Sequence, residues 1–351
     1  MNSSFQNTDL ENSEKDSPGE HRLVRLSVLD LVRVKQGGDA RSALDESRDL
    51  AIHLERLGYD RIWISEHHNM SSIASAATSI VLAHIGAATS RIRLGAGGIM
   101  LPNHAPYIIA EQFGTLARLF PGRIDLGLGR APGTDQLAVR ALRRPPQASD
   151  SFPEDVLELQ AYFEPSSPGQ RVVASPADGT QVPLTILGSS HFGAMLAAEL
   201  GLPYAFASHF APDLLIDALR LYRERFKPSR QLSAPYAMVG VNVVAAETDK
   251  EARHLATSQL KSFSDLTQSG SAGPLEPPTM DLDRQWPPQA RRMLARSVVG
   301  SPEMVQKGLA ALVEETAADE LIVVSDIFDR AARFRSFELI ASVMSMAGPL
   351  A

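Results

Sequence analysis

The strongest constraint on this chain is an alternation. Short runs rich in β-branched and other apolar residues recur along it, and each is followed by a stretch with helical spacing. The runs are "LVRLSVLDL" (Leu23 to Leu31), "RIWISE", "IRLGAGGIML", "RIDLGLGRA", "PLTILG", "YAFASHF", "YAMVGVNVVAAE" and "ELIVVSDI". Among the intervening stretches, Leu50, Leu54 and Leu57 share one helical face that stops at Gly58. "SPEMVQKGLAALVEET" opens with a Ser cap and a first-turn Pro. Several runs are almost wholly apolar, as strands covered on both faces must be. Right-handed crossovers then allow an open doubly wound sheet or a closed barrel. Eight units favour a (β/α)8 TIM barrel of class α/β.

Residues 22–351 read as one barrel domain without a visible repeat, and 1–21 as a polar, disordered tail with no apolar signal core. Between Pro132 and Pro183 the pattern loosens. There "FPEDVLELQAYF" predicts a helix and "RVVASPADGTQVP" a small hairpin turning at Asp178-Gly179. Residues 264–290 are rich in Gly, Pro, Ser and Asp and read as a covering loop excursion.

Composition removes several classes of function. The chain has no cysteine, which excludes disulfides, thiolate zinc sites, iron–sulfur clusters and a catalytic thiol. A net charge of −7 without a basic block argues against nucleic acid or an anionic membrane surface as partner. No apolar run is long enough to span a bilayer, so the expectation is a soluble cytoplasmic protein.

A barrel carries its chemistry on the loops after its strands. The strand-end residues are Asp30; Glu66, His67 and His68; Gly97 to Met100; Arg130; Gly188 to Ser190; Ser208 to Phe210; and Ser325-Asp326. His67 and His68 are adjacent, so at most one faces the axis while the strand lasts. Their spacing is not that of a His-Glu-x-x-His helix, and no other strand end supplies the clustered carboxylate and histidine that a metal needs. The expectation is no metal, and one histidine acting as acid/base or hydrogen-bond donor. In "GAGGIM", Gly95, Gly97 and Gly98 weaken a buried strand, which favours close approach of the backbone to a flat ligand. Arg130 at one strand end and Gly188-Ser189-Ser190 at the next, opening a helix, suggest a phosphate held from two sides. No P-loop or dinucleotide glycine fingerprint is present. FMN fits this set; on the residues alone a phosphorylated substrate fits equally.

"GYDRIWISEHHN", "RIRLGAGGIMLPNHAP", "AEQFGTLARLFPGRIDLGLGRAPGTD", "LGSSHFGAMLAAELGLPYAFASHF" and "VGSPEMV" occur in this order from Leu23 onward. Together they resemble the bacterial luciferase-like monooxygenase family, in its single-component branch of uncharacterised oxidoreductases. The resemblance implies a (β/α)8 barrel that takes FMN as FMNH2 from a separate flavin reductase. It implies activation of O2 as a peroxide at the flavin C4a carbon and oxygenation of a small organic substrate. It implies a catalytic role for His67, preceded by Glu66 as in the family pattern and counted with it at the cofactor. It places a bulge with a non-prolyl cis peptide at Gly97-Gly98 under the flavin, and the phosphate at Arg130, Gly188, Ser189 and Ser190. A homodimer is the implied assembly, with the small-residue helix Ala74 to Ala88 either at its interface or simply packed on the barrel. Two departures stand out. Gly129 occupies the position of the luciferases' reactive cysteine, which puts light emission in doubt. The luciferases' long mobile loop is not evident, and 264–290, with Trp286 beside two prolines, is the candidate for a shorter lid. Two other readings stay open: an F420-dependent hydride-transfer oxidoreductase of the same superfamily, and a flavin-binding protein without catalysis.

Overall fold

A computed structural model describes residues 24–131, 135–145, 147–281 and 285–346. The tail assigned to 1–21 lies outside the described residues. The chain alternates strictly at first: β1 (Arg25–Asp30), α1 (Ala40–Leu57), β2 (Arg61–Ile64), α2 (Thr78–Gly86), β3 (Arg93–Met100), α3 (Pro106–Leu119) and β4 (Ile124–Gly129). Two helices, α4 (Gln136–Ala141) and α5 (Phe152–Phe163), precede β5 (Leu184–Gly188). The alternation resumes with α6 (His191–Leu200), β6 (Tyr204–Phe206), α7 (Leu215–Arg225), β7 (Ala237–Ala245) and α8 (Asp249–Ser269). The chain ends through α9 (Pro288–Met293), β8 (Val298–Gly300), α10 (Pro302–Thr316), β9 (Glu320–Val324) and α11 (Arg330–Met346).

Eight strands close a ring in the order β1-β2-β3-β4-β5-β6-β7-β9, with β9 paired to β1 and every pair parallel. This is the (β/α)8 barrel that the alternation predicts. The ninth strand, β8, is outside the ring and extends the far end of β7, with Val243 opposite Val298. It was not among the eight predicted runs. Three residues of "SVVGS" offer too short a pattern to distinguish from a loop.

The ring has an inner and an outer core. Leu29, Trp63, Ala205, Met238, Ile322 and Val324 pack together inside the barrel. A much larger cluster joins the outward strand faces to the helices. At the N-terminal ends of the strands, a buried ionic network plugs the ring. Arg61 contacts Asp125 at 2.8 Å and Glu320 at 2.9 Å, and Glu320 also accepts hydrogen bonds from Ser27 and from Tyr236. The opposite end is left to the loops.

Local chemistry sets the helix limits. Asp39 and Ser42 cap α1 reciprocally, and Gly58 ends it at φ +82°. Three expectations are corrected. Helix α2 begins at Thr78, because residues 74–77 are still in the turn that follows β2. The excursion assigned to 264–290 opens as helix: α8 continues to Ser269 and ends at Gly270, φ +76°. Its helical period persists through the polar composition, and Ser264 is buried. Residues 282–284 of that stretch lie outside the described residues. The segment "RVVASPADGTQVP" forms successive turns instead of a hairpin. It lies against α3 so closely that the Ala177 backbone fills the place of a side chain at Gly114.

Candidate active site at the mouth of the barrel

A cavity of about 670 Å³ opens at the C-terminal ends of the strands, a size ordinary for a small-molecule site. His67, Gly97, Gly98, Arg130, Gly188, Ser189 and Ser190 all line it. The barrel therefore brings together seven of the eight residues singled out from the sequence. Glu66 is the exception.

His67 follows β2 by three residues, where the strand has ended and its ring can turn inward. Its Nδ1 lies 3.3 Å from Ser65 Oγ, and Nε2 makes no hydrogen bond among the described residues. Burial pushes its pKa down to about 4; Glu66 opposes the shift, while the positive charge of Arg33 adds to it. The ring is therefore neutral across the usual working range.

Glu66 points the other way and is 1% exposed. Its Oε1 accepts from His68 Nε2 at 2.7 Å and from His104 Nε2 at 2.8 Å, and its Oε2 accepts the Met100 N–H at 3.1 Å. Burial pushes the carboxyl up, but the hydrogen bonds from His104 and His68 outweigh it and hold the pKa below its ordinary value. Glu66 thus braces the end of β3 and does not line the cavity. The loop after β3 does supply a histidine to a carboxylate: Glu66, His68 and His104 place one ligand-type atom each within 4.8 Å of one another. The sequence expectation that no second strand end contributes to such a cluster is corrected. Both ring nitrogens lie at hydrogen-bond distance from the same carboxylate oxygen.

The peptide Gly97-Gly98 is cis, and the β3–β4 register shifts between Ala96 and Ile99. A Cβ at Gly98 would lie 2.7 Å from the Gly127 carbonyl oxygen, and one at Gly97 would lie 2.8 Å from a Leu29 methyl. Neither position has room for a side chain, so this part of the wall is bare backbone.

Arg130 follows β4, which ends at Gly129. Its guanidinium stacks 4.2 Å over the Phe192 ring, and its Nε donates to the Ser149 carbonyl at 3.2 Å. Asp150 comes no nearer than 4.0 Å. The outer nitrogens therefore keep most of their donor capacity, in a plane fixed by stacking. Ser190 stands at the N-cap of α6 without using its side chain as a cap, and the first N–H groups of that helix lack intrahelical acceptors. Arg130, Ser189, Ser190 and the helix terminus form a donor set suited to an oxyanion such as a phosphate.

Other lining residues were missed or given no role. His209, in "FASHF", lines the cavity; burial and then the His67 charge push its pKa down to about 4, and its Nδ1 has no hydrogen-bond partner among the described residues. Arg33 and Trp63 also line it. Trp63 carried only a strand signal. Arg33 lies beyond the end of β1, where no motif marks it.

The sequence model for luciferase-like monooxygenases matches residues 24–320. YvbT, an uncharacterised protein of Bacillus subtilis (strain 168), is 51% identical over 332 residues, covering 93% of this chain and 98% of that protein. A luciferase-like monooxygenase of Escherichia coli (strain K12) is 49% identical over 327 residues, covering 92% and 97%. The crystal structure of apo-MsnO8 superposes with a TM-score of 0.86 at 37% identity, covering 93% of this chain and 99% of that one. Two solved structures share the fold alone. One is the oxygenating constituent of 3,6-diketocamphane monooxygenase from Pseudomonas putida in complex with FMN (TM-score 0.71, 19% identity, 93% and 98% covered). The other is an F420-dependent secondary alcohol dehydrogenase (TM-score 0.66, 14% identity, 92% and 99% covered). Neighbours in this fold thus hold a flavin or F420.

Proposed function

Because this chain belongs to the luciferase-like monooxygenase family, we propose that it is an FMN-dependent monooxygenase, using FMNH2 and O2 to place one oxygen atom in a small organic substrate and release the other as water. One observation carries the reading: a single cavity is lined by His67, by the bare Gly97-Gly98 backbone, and by Arg130, Ser189 and Ser190. These residues fit the cofactor. A flat ring needs a wall without side chains, and Cβ atoms at Gly97 and Gly98 have no room. A phosphate needs fixed donors, and Arg130 holds its guanidinium plane on Phe192 with no hydrogen bond from its outer nitrogens to any described residue.

Arg130, Ser189, Ser190 and the N-terminus of α6 would hold the phosphate, with Gly188 leaving the turn slim. Bound FMNH2 supplies the two electrons that activate O2. His67 is neutral, so its Nε2 is able to donate a hydrogen bond toward the reacting oxygen or take up a proton there. Glu66 acts at one remove, by holding Met100 and hence β3 in place. Water must be kept from the reacting atoms or oxygen is lost as H2O2. Leu266, Ala272 and Met293, in and around residues 264–290, line the cavity with apolar groups and would serve that end. A separate flavin reductase and a homodimeric assembly belong to the same reading. No helix among the described residues is long and apolar enough to cross a membrane.

The test is anaerobic titration of the purified protein with FMN, FMNH2 and F420, followed by mixing with O2 in the presence of candidate substrates. Tight FMNH2 binding, with H2O2 release suppressed by a substrate, supports the proposal. Preference for F420 moves the reading to hydride transfer. Tight FMNH2 binding with full H2O2 release whatever the substrate moves it to a passive flavin protein.

A further inference from the structure

One ionic pair in the cavity has no task in the cofactor site. Arg33 enters from the loop after β1 and is 9% exposed; Asp326 enters just after β9 and is 4% exposed. Strands β1 and β9 are neighbours, and β1 lies across the ring from β5, which carries Ser189 and Ser190 on its following loop. The pair is therefore on the opposite rim from the phosphate donors.

Its hydrogen bonding is incomplete. Arg33 Nη2 donates to Ser262 Oγ of α8 at 2.6 Å. Nε is buried with no hydrogen-bond partner among the described residues, and its distance of 3.7 Å to Asp326 Oδ2 is beyond hydrogen-bond reach. Nη1 has no hydrogen-bond partner among the described residues, and the Asp326 carboxylate accepts no hydrogen bond from any of them. A buried ion pair recovers its desolvation cost only when its lone pairs and protons are satisfied. The nearby ions do not help. Asp30 bonds Arg333 at 2.9 Å, and Glu46 bonds Lys35 at 2.7 Å and Arg333 at 3.2 Å. Three acids thus balance three bases; Asp30 Oδ2 is also without a hydrogen-bond partner among the described residues, but of the six only Arg33 and Asp326 line the cavity. The surroundings are apolar: Leu31, Phe263 and Leu266 line the cavity beside them, as does Ile73, which bridges Arg33 through its backbone.

A lone anion would satisfy Arg33 but face Asp326, and a lone cation would do the reverse. A head group carrying both charges satisfies the pair and keeps the pocket neutral. We propose that Arg33 and Asp326 form a substrate subsite for a small apolar molecule with an α-amino-acid head, its carboxylate on Arg33 and its ammonium on Asp326. This rests on reading the cavity as a shared cofactor and substrate site.

Three probes of equal chain length test it by calorimetry, on the FMN-loaded and the FMN-free protein: norleucine, hexanoate and hexylamine. Norleucine is expected to bind at least about tenfold more tightly than either single-charge probe. Arg33→Met should lower norleucine to the level of hexylamine, and Asp326→Asn to the level of hexanoate. Arg33→Lys, which keeps the charge, should retain part of the preference and guards against misfolding of the methionine variant. Equal binding of the three probes, no norleucine binding to the wild type, or a preference that survives both neutralising variants overturns the proposal. FMN affinity, measured on the same samples, reports separately on the cofactor reading, since norleucine preference without FMN binding would sink that reading and leave the subsite standing.

Discussion

The Nδ1 of His209 lies 2.5 Å from where a Cβ at position 240 would sit. Gly240 is in the middle of β7, with both faces buried, and its missing side chain is the space that the imidazole occupies at the cavity wall. Gly240→Ala is expected to push the ring aside and cost about 1–3 kcal/mol of stability, the usual penalty of overpacking. Adding His209→Ala to that variant should recover part of the loss, a coupling that a double-mutant cycle in urea would measure. Additive losses would mean that the two positions do not compete for space.

The two cavity histidines make a pH prediction. Both have pKa values pushed down to about 4, chiefly by burial. An unfolded histidine titrates near 6.5, so between these values the unfolded chain binds protons that the folded chain refuses. Their contribution to stability is complete above about pH 6.5 and is lost as the pH falls toward 4, at up to about 1.4 kcal/mol per pH unit for each histidine. Unfolding free energies of the wild type and of a His67→Gln/His209→Gln variant, compared across that window, should converge at low pH relative to pH 7. Parallel curves would contradict the shifts.

His67→Ala should leave FMN affinity within about twofold of wild type while oxygenation fails and O2 appears as H2O2. In the wild type the acid limb of turnover due to this group should lie near pH 4 and not near 6.5. Fully coupled turnover in the variant would remove His67 from the chemistry.

Arg130→Ala should weaken FMN binding more than about tenfold, roughly 1.4 kcal/mol or more, because a charge-assisted contact to phosphate is lost. Riboflavin, which lacks the phosphate, should bind the variant and the wild type alike. An FMN affinity that does not change would show that the phosphate lies elsewhere.

Glu66→Ala removes one carboxylate from three donors at once. Each bond to a buried charge contributes about 1.5–3 kcal/mol and the three are not additive, so a loss of about 2–4 kcal/mol is expected in chemical denaturation. Glu66→Gln, which keeps an acceptor, should lose less. A Glu66→Ala variant as stable as wild type but unable to bind FMN would return Glu66 to the cofactor site.

Much of this molecule was legible in the residues themselves. The eight strand and helix periods are local, and few topologies accommodate eight right-handed crossovers, so the barrel and the placing of His67, Gly97, Gly98, Arg130 and Gly188 to Ser190 at one mouth followed from pattern alone. The misreadings were local too. Polar composition hid the last turn and a half of α8, and three residues of β8 were too few to carry a period. What the tertiary structure alone decided is where side chains from distant segments meet. Glu66 turns from the cavity because His104 and Met100, over thirty positions on, offer it donors. Arg33 meets Asp326 because β9 closes the ring against β1, and His209 fits because β7 carries a glycine opposite it. Periodicity reports which face of a segment is buried. It does not report which residue of another segment will stand there, since that depends on the register and closure of the whole sheet.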